Sequence, residues 1–170
     1  MLALRQDGVL AGDWMLDPGA STVGLRSTVR PGLPVRGVFR EVSGSGTVRP
    51  DGLVSGTLTV AAGSVDTGNA RRDRHLRSAD FFDSGRYPDI MFTADRVAET
   101  GQVDGVLTVR GRTRALSFPA AAFSAADGTV GLDAEVVINR GDFGLTWNWL
   151  GLMAMQATIT VHAVFSRVQS

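Results

Sequence analysis

The segment Arg71-Arg72-Asp73-Arg74-His75-Leu76-Arg77 concentrates the titratable chemistry of this chain. It carries four arginines against one aspartate, a local balance of +3, and one of the two histidines. On a helix, Arg71 with His75 and Asp73 with Arg77 are i,i+4 neighbours that share a face. Two readings follow. The cluster is an anionic-headgroup clamp at the mouth of a cavity, or it is a capping helix whose charges pair with Asp80, Asp83 and Asp89. The other histidine, His162, falls on the polar face of a strand pattern and is expected to be exposed. No serine sits in a G-x-S-x-G elbow, and no nucleophile has a visible base. Asp51, Asp104 and Asp127 read as turn residues whose carboxylates bond locally. No catalytic residue is assigned, and the chain is not expected to be an enzyme.

The second group is apolar. Trp147-Asn148-Trp149 puts two indoles on one face if extended, and Leu150, Leu152, Met153 and Met155 follow. Methionine and tryptophan make an adaptable, polarisable wall. Such a segment closes one end of a core or lines the opening of a lipid cavity; the pattern leaves both open.

Composition removes whole classes. The 170 residues hold 17 basic and 17 acidic side chains, so net charge is zero and no basic run suits nucleic acid. Every basic residue is arginine, which excludes Schiff-base and phosphate-loop lysines. There is no cysteine, hence no disulfide, thiolate nucleophile or cysteinyl metal site, and two histidines cannot build a three-histidine centre. No metal or cofactor is expected. The uncharged stretch Phe143 to Ala163 includes Thr, Asn, Gln, His and two glycines, a poor membrane span. The N-terminus lacks an apolar signal core, so the expected compartment is the cytoplasm.

Elements that would position these residues are mostly strands. Alternation with period two runs through Thr22–Thr28, Val35–Val48, Leu53–Val60, Asp89–Ala98, Val103–Arg110, Arg114–Phe123, Thr129–Arg140 and Met155–Arg167. Turns are expected at Arg49–Gly52, Glu99–Gln102, Gly111–Thr113 and Ala126–Gly128. Pro119 suggests an edge or a bulge. Asn69 is a candidate N-cap for one short helix, about 69–80. Glycine is 21 of 170, and glycines inside strands mark bends and corners. Eight or more strands joined by short turns favour a closed antiparallel β-barrel over an open sheet; a β-sandwich is the competing architecture. A single domain is expected over 13–168 after an N-terminal extension, 1–12.

Five blocks in order carry a family likeness. They are Trp14-Met15-Leu16-Asp17 with Ser21-Thr22-Val23; Val35-Arg36-Gly37-Val38-Phe39; Arg72 to Asp83 followed by Tyr87-Pro88-Asp89-Ile90-Met91-Phe92; Gly105 to Gly111; and Ile138-Asn139-Arg140-Gly141-Asp142-Phe143-Gly144. The third is similar to an R-D-x-H-L-x-S-x-D-F-F-D…Y-P-x-x-x-F signature. The chain resembles the YceI-like family, lipocalin-like barrels that bind polyisoprenoids and other long-chain lipids. The resemblance implies an all-β barrel of about eight strands whose lumen holds an isoprenoid, quinone or fatty-acyl chain as carrier or sequestering protein. On that basis the expected lumen residues are Phe39, Leu58, Phe92, Leu107, Val109, Phe118, Val136, Ile138 and Ile159. Expected mouth residues are Phe143, Trp147, Trp149 and Met155. Arg72, Arg74 and His75 are the expected headgroup contacts. The implied partner is a hydrophobic small molecule, with transient membrane contact and a homodimer both compatible. A solid interaction barrel and an enzyme for a small hydrophobic substrate are the alternatives.

Overall fold

The computed structural model describes residues 10–29, 31–124, 127–148 and 151–169. Its strands are β1 Gly12–Leu16, β2 Thr22–Val29, β3 Leu33–Phe39, β4 Val42–Val48, β5 Val54–Ala61, β6 Val65–Asp66, β7 Asp89–Val97, β8 Gln102–Val109, β9 Arg112–Ser124, β10 Val130–Asn139 and β11 Gln156–Arg167. All neighbours pair antiparallel in the order β1-β4-β5-β7-β8-β9-β10-β11, and β1 returns to β11 to close the ring.

The remaining strands continue ring members past a bend. β2 follows β1 beyond Asp17–Ser21 and pairs with β11 and β3. β3 runs into β4 across Arg40-Glu41, and β6 follows β5 after a 3₁₀ turn, Ala62–Ser64. The first three staves of the barrel are therefore long strands broken at one level. The result is an eight-stave up-and-down barrel, in which sequence neighbours are spatial neighbours and no open edge remains on the ring. Val35–Val48, expected as one strand, is two because of this corner, and β1 was not anticipated by alternation.

Glycine permits the curl where strands press together. At Gly56 an added Cβ would stand 2.7 Å from the Ser45 carbonyl of the neighbouring strand, and at Gly105 it would run into the Thr93 carbonyl and the Phe92 ring. Turn chemistry is similarly local. Arg110 and Gly111 both have positive φ, 50° and 72°, between paired Val109 and Arg112, the backbone of a two-residue hairpin turn. The turn expected at Gly111–Thr113 therefore begins one residue earlier.

Two further expectations change. Asp104 lies within β8, opposite Ser117, rather than in a turn. Pro119 is neither on an edge nor at a bulge. It is the last β9 residue paired with β8, and from Ala120 onward β9 pairs with β10. Proline's missing donor falls at this change of partner. The second half of β10 has no β9 pairing; there a 3₁₀ turn, Arg140–Phe143, packs against β9.

The helical excursion, α1, spans Ala70–Arg77. Asn69 caps it, its side chain accepting from the Arg72 backbone N–H at 3.0 Å. Ser78 ends it with extended backbone, and the rest of the expected excursion, to residue 80, continues as bend and turn.

Candidate functional site

Inward alternation gives the barrel an apolar interior that its own side chains do not fill. Leu107 and Val109 on β8 and Val136 and Ile138 on β10 are buried in one continuous cluster, and Val103 on β8 is buried as well. Leu25, Leu58, Phe92, Leu116, Phe118, Ala134 and Ile159 pack against that cluster yet remain only partly buried. Core side chains in a solid barrel have no free surface; these face a cavity of about 1080 Å³ that runs along the lumen. That volume stands at the upper end of small-molecule sites. All nine expected lumen residues, Phe39, Leu58, Phe92, Leu107, Val109, Phe118, Val136, Ile138 and Ile159, line it.

One end of the cavity is roofed by α1 and the segments beside it. Leu76, Phe81 and Phe82 close over the strands, with Phe82 edge-on to Phe39 at 5.9 Å. Arg110, held by its turn, donates from Nη1 to the Phe81 carbonyl at 2.8 Å. His75 lies edge-on to Trp147, centroids 4.3 Å apart, and its Nε2 is 3.0 Å from Asp80 Oδ2. Trp147 and His75 thus form one rim, which joins the two groups singled out from sequence.

The arginines divide by role. Arg72 lines the cavity but is also committed to the fold: Nε donates to Thr67 Oγ1 at 2.7 Å and Nη2 to the Thr67 carbonyl at 2.9 Å. Buried Asp73 accepts from the Thr67 backbone N–H at 2.9 Å and from its hydroxyl. Arg71 lines the cavity and is exposed. Arg74, expected as a headgroup contact, is exposed and absent from the cavity wall, because it points away on the α1 face opposite Leu76 and Arg72. Of the expected charge pairings, His75 with Asp80 is formed; among the described residues neither Asp83 nor Asp89 makes an ion pair. His162 is exposed as expected, its Nδ1 2.6 Å from Asp133 Oδ1 and its ring stacked on Phe123.

Arg140 is the functional-looking residue that was not singled out. Only 4% exposed, it donates from Nε to the Ala154 carbonyl at 2.9 Å and from Nη1 to the carbonyls of Leu145 at 2.7 Å and Trp147 at 2.6 Å. Its guanidinium lies 5.6 Å from the Phe81 ring centre. Among the described residues no carboxylate pairs with it, and burial pulls its pKa below the usual guanidinium range. It therefore clamps the loop that carries Trp147. The inward series Leu132, Ala134, Val136, Ile138 places Arg140 next on the same face, and that was the available signal. Asn148 adds a reciprocal bond, Nδ2 to the Met153 carbonyl at 3.1 Å and Met153 N–H to Oδ1 at 2.9 Å.

Two expected mouth residues are displaced. Phe143 is 3% exposed in the core cluster and does not line the cavity, because it closes the 3₁₀ turn that packs against β9. Met155 packs its methyl near Gly141 outside the wall, and Met153 and Leu145 line the cavity instead. Trp149 lies outside the described residues. Among those residues no cluster of His, Cys, Asp or Glu has metal-site geometry, and no helix is long and apolar enough to cross a membrane.

A closed antiparallel ring around an apolar lumen, roofed by one short helix, defines a small β-barrel whose interior its own side chains leave open. The chain belongs to the YceI-like domain family, which matches residues 14–165. Protein YceI of Shigella sonnei is 35% identical over 96 residues, 52% of this chain and 50% of that protein. UPF0312 protein plu2095 of Photorhabdus laumondii is 32% identical over 120 residues, 66% of this chain and 62% of that protein. The aligned region thus spans about half to three-fifths of these curated relatives. Among solved structures, Burkholderia cenocepacia BcnA superposes with a TM-score of 0.80 at 24% identity, covering 88% of this chain and 98% of that one. A polyisoprenoid binding domain from Saccharophagus degradans superposes with a TM-score of 0.75 at 16% identity, covering 91% and 98%. At these identities the superpositions speak for the fold.

Proposed function

We propose that the barrel carries one long-chain lipid of the isoprenoid, quinone or fatty-acyl type in its lumen. The observation that carries this is the continuous apolar cavity of about 1080 Å³, lined by partly buried Leu58, Phe92, Phe118 and Ile159. The binding named for the Saccharophagus degradans domain supports the same ligand class. Such a volume weighs against a solid interaction barrel.

The energetics suit a carrier. Each methylene moved from water into the lumen contributes about 0.8 kcal/mol, so a long chain binds without any charged contact. A bilayer offers the chain an equally apolar medium, so transfer between membrane and barrel is nearly balanced. The protein accordingly sequesters or shuttles the lipid through transient membrane contact.

The test is organic extraction of the purified protein with mass spectrometry of the extract, beside native mass spectra of the intact protein. One prenyl or acyl species per barrel is the expected result. An empty protein that also takes up no quinone in a titration read by tryptophan fluorescence refutes the proposal.

A further inference from the structure

The cavity does not stop at the end of the barrel opposite α1. There its wall continues through Val48 and Val54 to the turn residues Arg49, Gly52, Ala98 and Glu99. These turns join β4 to β5 and β7 to β8, and their residues are exposed or half-exposed. The two ends differ in chemistry. The α1 end presents bulky rings, Phe81, Phe82 and Trp147, with cationic Arg71 and Arg72 at its rim. At the far end the wall along β4, β5 and β7 includes the small residues Gly46, Gly56 and Ala94 beside Val48, Val54 and Val97, with Trp14 of β1 opposite Gly46. At its rim the Arg49–Asp51 pair, 3.0 Å apart, is satisfied across its own turn, and Glu99 adds a carboxylate that makes no ion pair among the described residues.

We infer that the lumen is a tunnel with a second port, rimmed by the Arg49–Gly52 and Ala98–Glu99 turns, through which the tail of a chain longer than the lumen emerges while its polar end stays beneath α1. This rests on the lipid-carrying reading and adds a ligand class to it. At about 30 Å³ per group the size of a water molecule, the cavity holds roughly 36 such groups. A closed-ended barrel of this volume rejects longer chains or folds them back. A tunnel accepts them, and affinity stops rising with length once the lumen is full. Within the lumen each added methylene strengthens binding against water about fourfold; beyond it the emerging tail contributes nothing.

The experiment uses the full chain and two linear prenols, one of four and one of twelve isoprene units, each with a photoreactive diazirine at the tail terminus. Occupancy is read by native mass spectrometry and the labelled peptide by digestion. The expected result is stoichiometric binding of both prenols. The long probe labels the 49–52 or 98–101 turns or is intercepted by an aqueous thiol scavenger, whereas the short probe labels inward strand residues. Replacing Val54 by Trp at the second port lowers the ratio of long to short prenol bound at least tenfold, and V48W provides a second variant should V54W not fold. Binding of the short prenol with exclusion of the long one, or labelling by the long one confined to α1 and residues 145–153, overturns the tunnel and leaves lipid carriage standing. Failure of both prenols to bind overturns the lipid-carrying reading itself, and the tunnel with it.

Discussion

Leu107 is the sharpest place to test whether the lumen is the binding site. It sits mid-strand on β8, 5% exposed, between Phe92 on β7 and Arg114 on β9 in the sheet register, with its side chain on the cavity wall. Leu107→Arg puts a guanidinium into an apolar space where no described carboxylate can pair with it. The group keeps its charge by holding water, so the chain beside it loses apolar contact. If three methylenes stay wet at about 0.8 kcal/mol each, binding weakens by about 2.4 kcal/mol, roughly 60-fold in Kd. Loss of the leucine's own burial lowers stability by about 1.5–3 kcal/mol, which thermal unfolding reports separately. Leu107→Met conserves volume and polarity and should change either quantity by less than about 1.5 kcal/mol. The assay is a quinone titration followed by tryptophan fluorescence, beside lipid content after extraction. A folded Leu107→Arg protein with wild-type affinity and lipid content would refute the lumen as the site.

Three other outcomes follow from the geometry. Arg140→Met removes the donors bonded to the carbonyls of Leu145, Trp147, Met153 and Ala154 and, at about 1–3 kcal/mol for a buried acceptor left unpaired, should lower Tm by on the order of 10 °C. Asp66 accepts from the Gly68 N–H and from Arg40, which hold its carboxyl below the usual range; its contribution is complete above the unfolded value of about 3.9 and is lost as pH falls through the lower folded value. Asp66→Asn should therefore flatten the acid limb of a stability–pH curve and leave its alkaline limb alone. Gly105→Ala drives a methyl into the neighbouring strand and should destabilise by more than about 2 kcal/mol, whereas exposed Gly85→Ala, with open space around it, should be nearly neutral in denaturant unfolding.

Much of the wall was legible because a barrel interior obeys a period of two. Leu132, Ala134, Val136 and Ile138 alternate in the sequence and point inward in the structure, as do Val103, Leu107 and Val109. The N-cap at Asn69 and the β4–β5 hairpin are likewise local, fixed by residues a few positions apart. The mouth was misread where the chain leaves regular structure. Phe143 and Met155 have the same composition as true rim residues, and only the 3₁₀ turn that follows Asn139 shows which side chains turn under and which face the cavity. Arg140 was passed over because a charged residue at the end of a strand usually reaches solvent. Here the loop carbonyls of Leu145, Trp147 and Ala154 take the place of water.

The amino-acid sequence by itself determined which faces are apolar, where the chain turns and which chemistries are excluded, since these depend on side-chain type and short-range backbone preference. Closure of β1 onto β11, the meeting of His75 with Trp147 and the size of the cavity were decided by tertiary structure alone. Each depends on residues about 70 to 150 positions apart, and whether a ring of inward side chains meets in the middle or leaves space is set by barrel circumference rather than by any one strand.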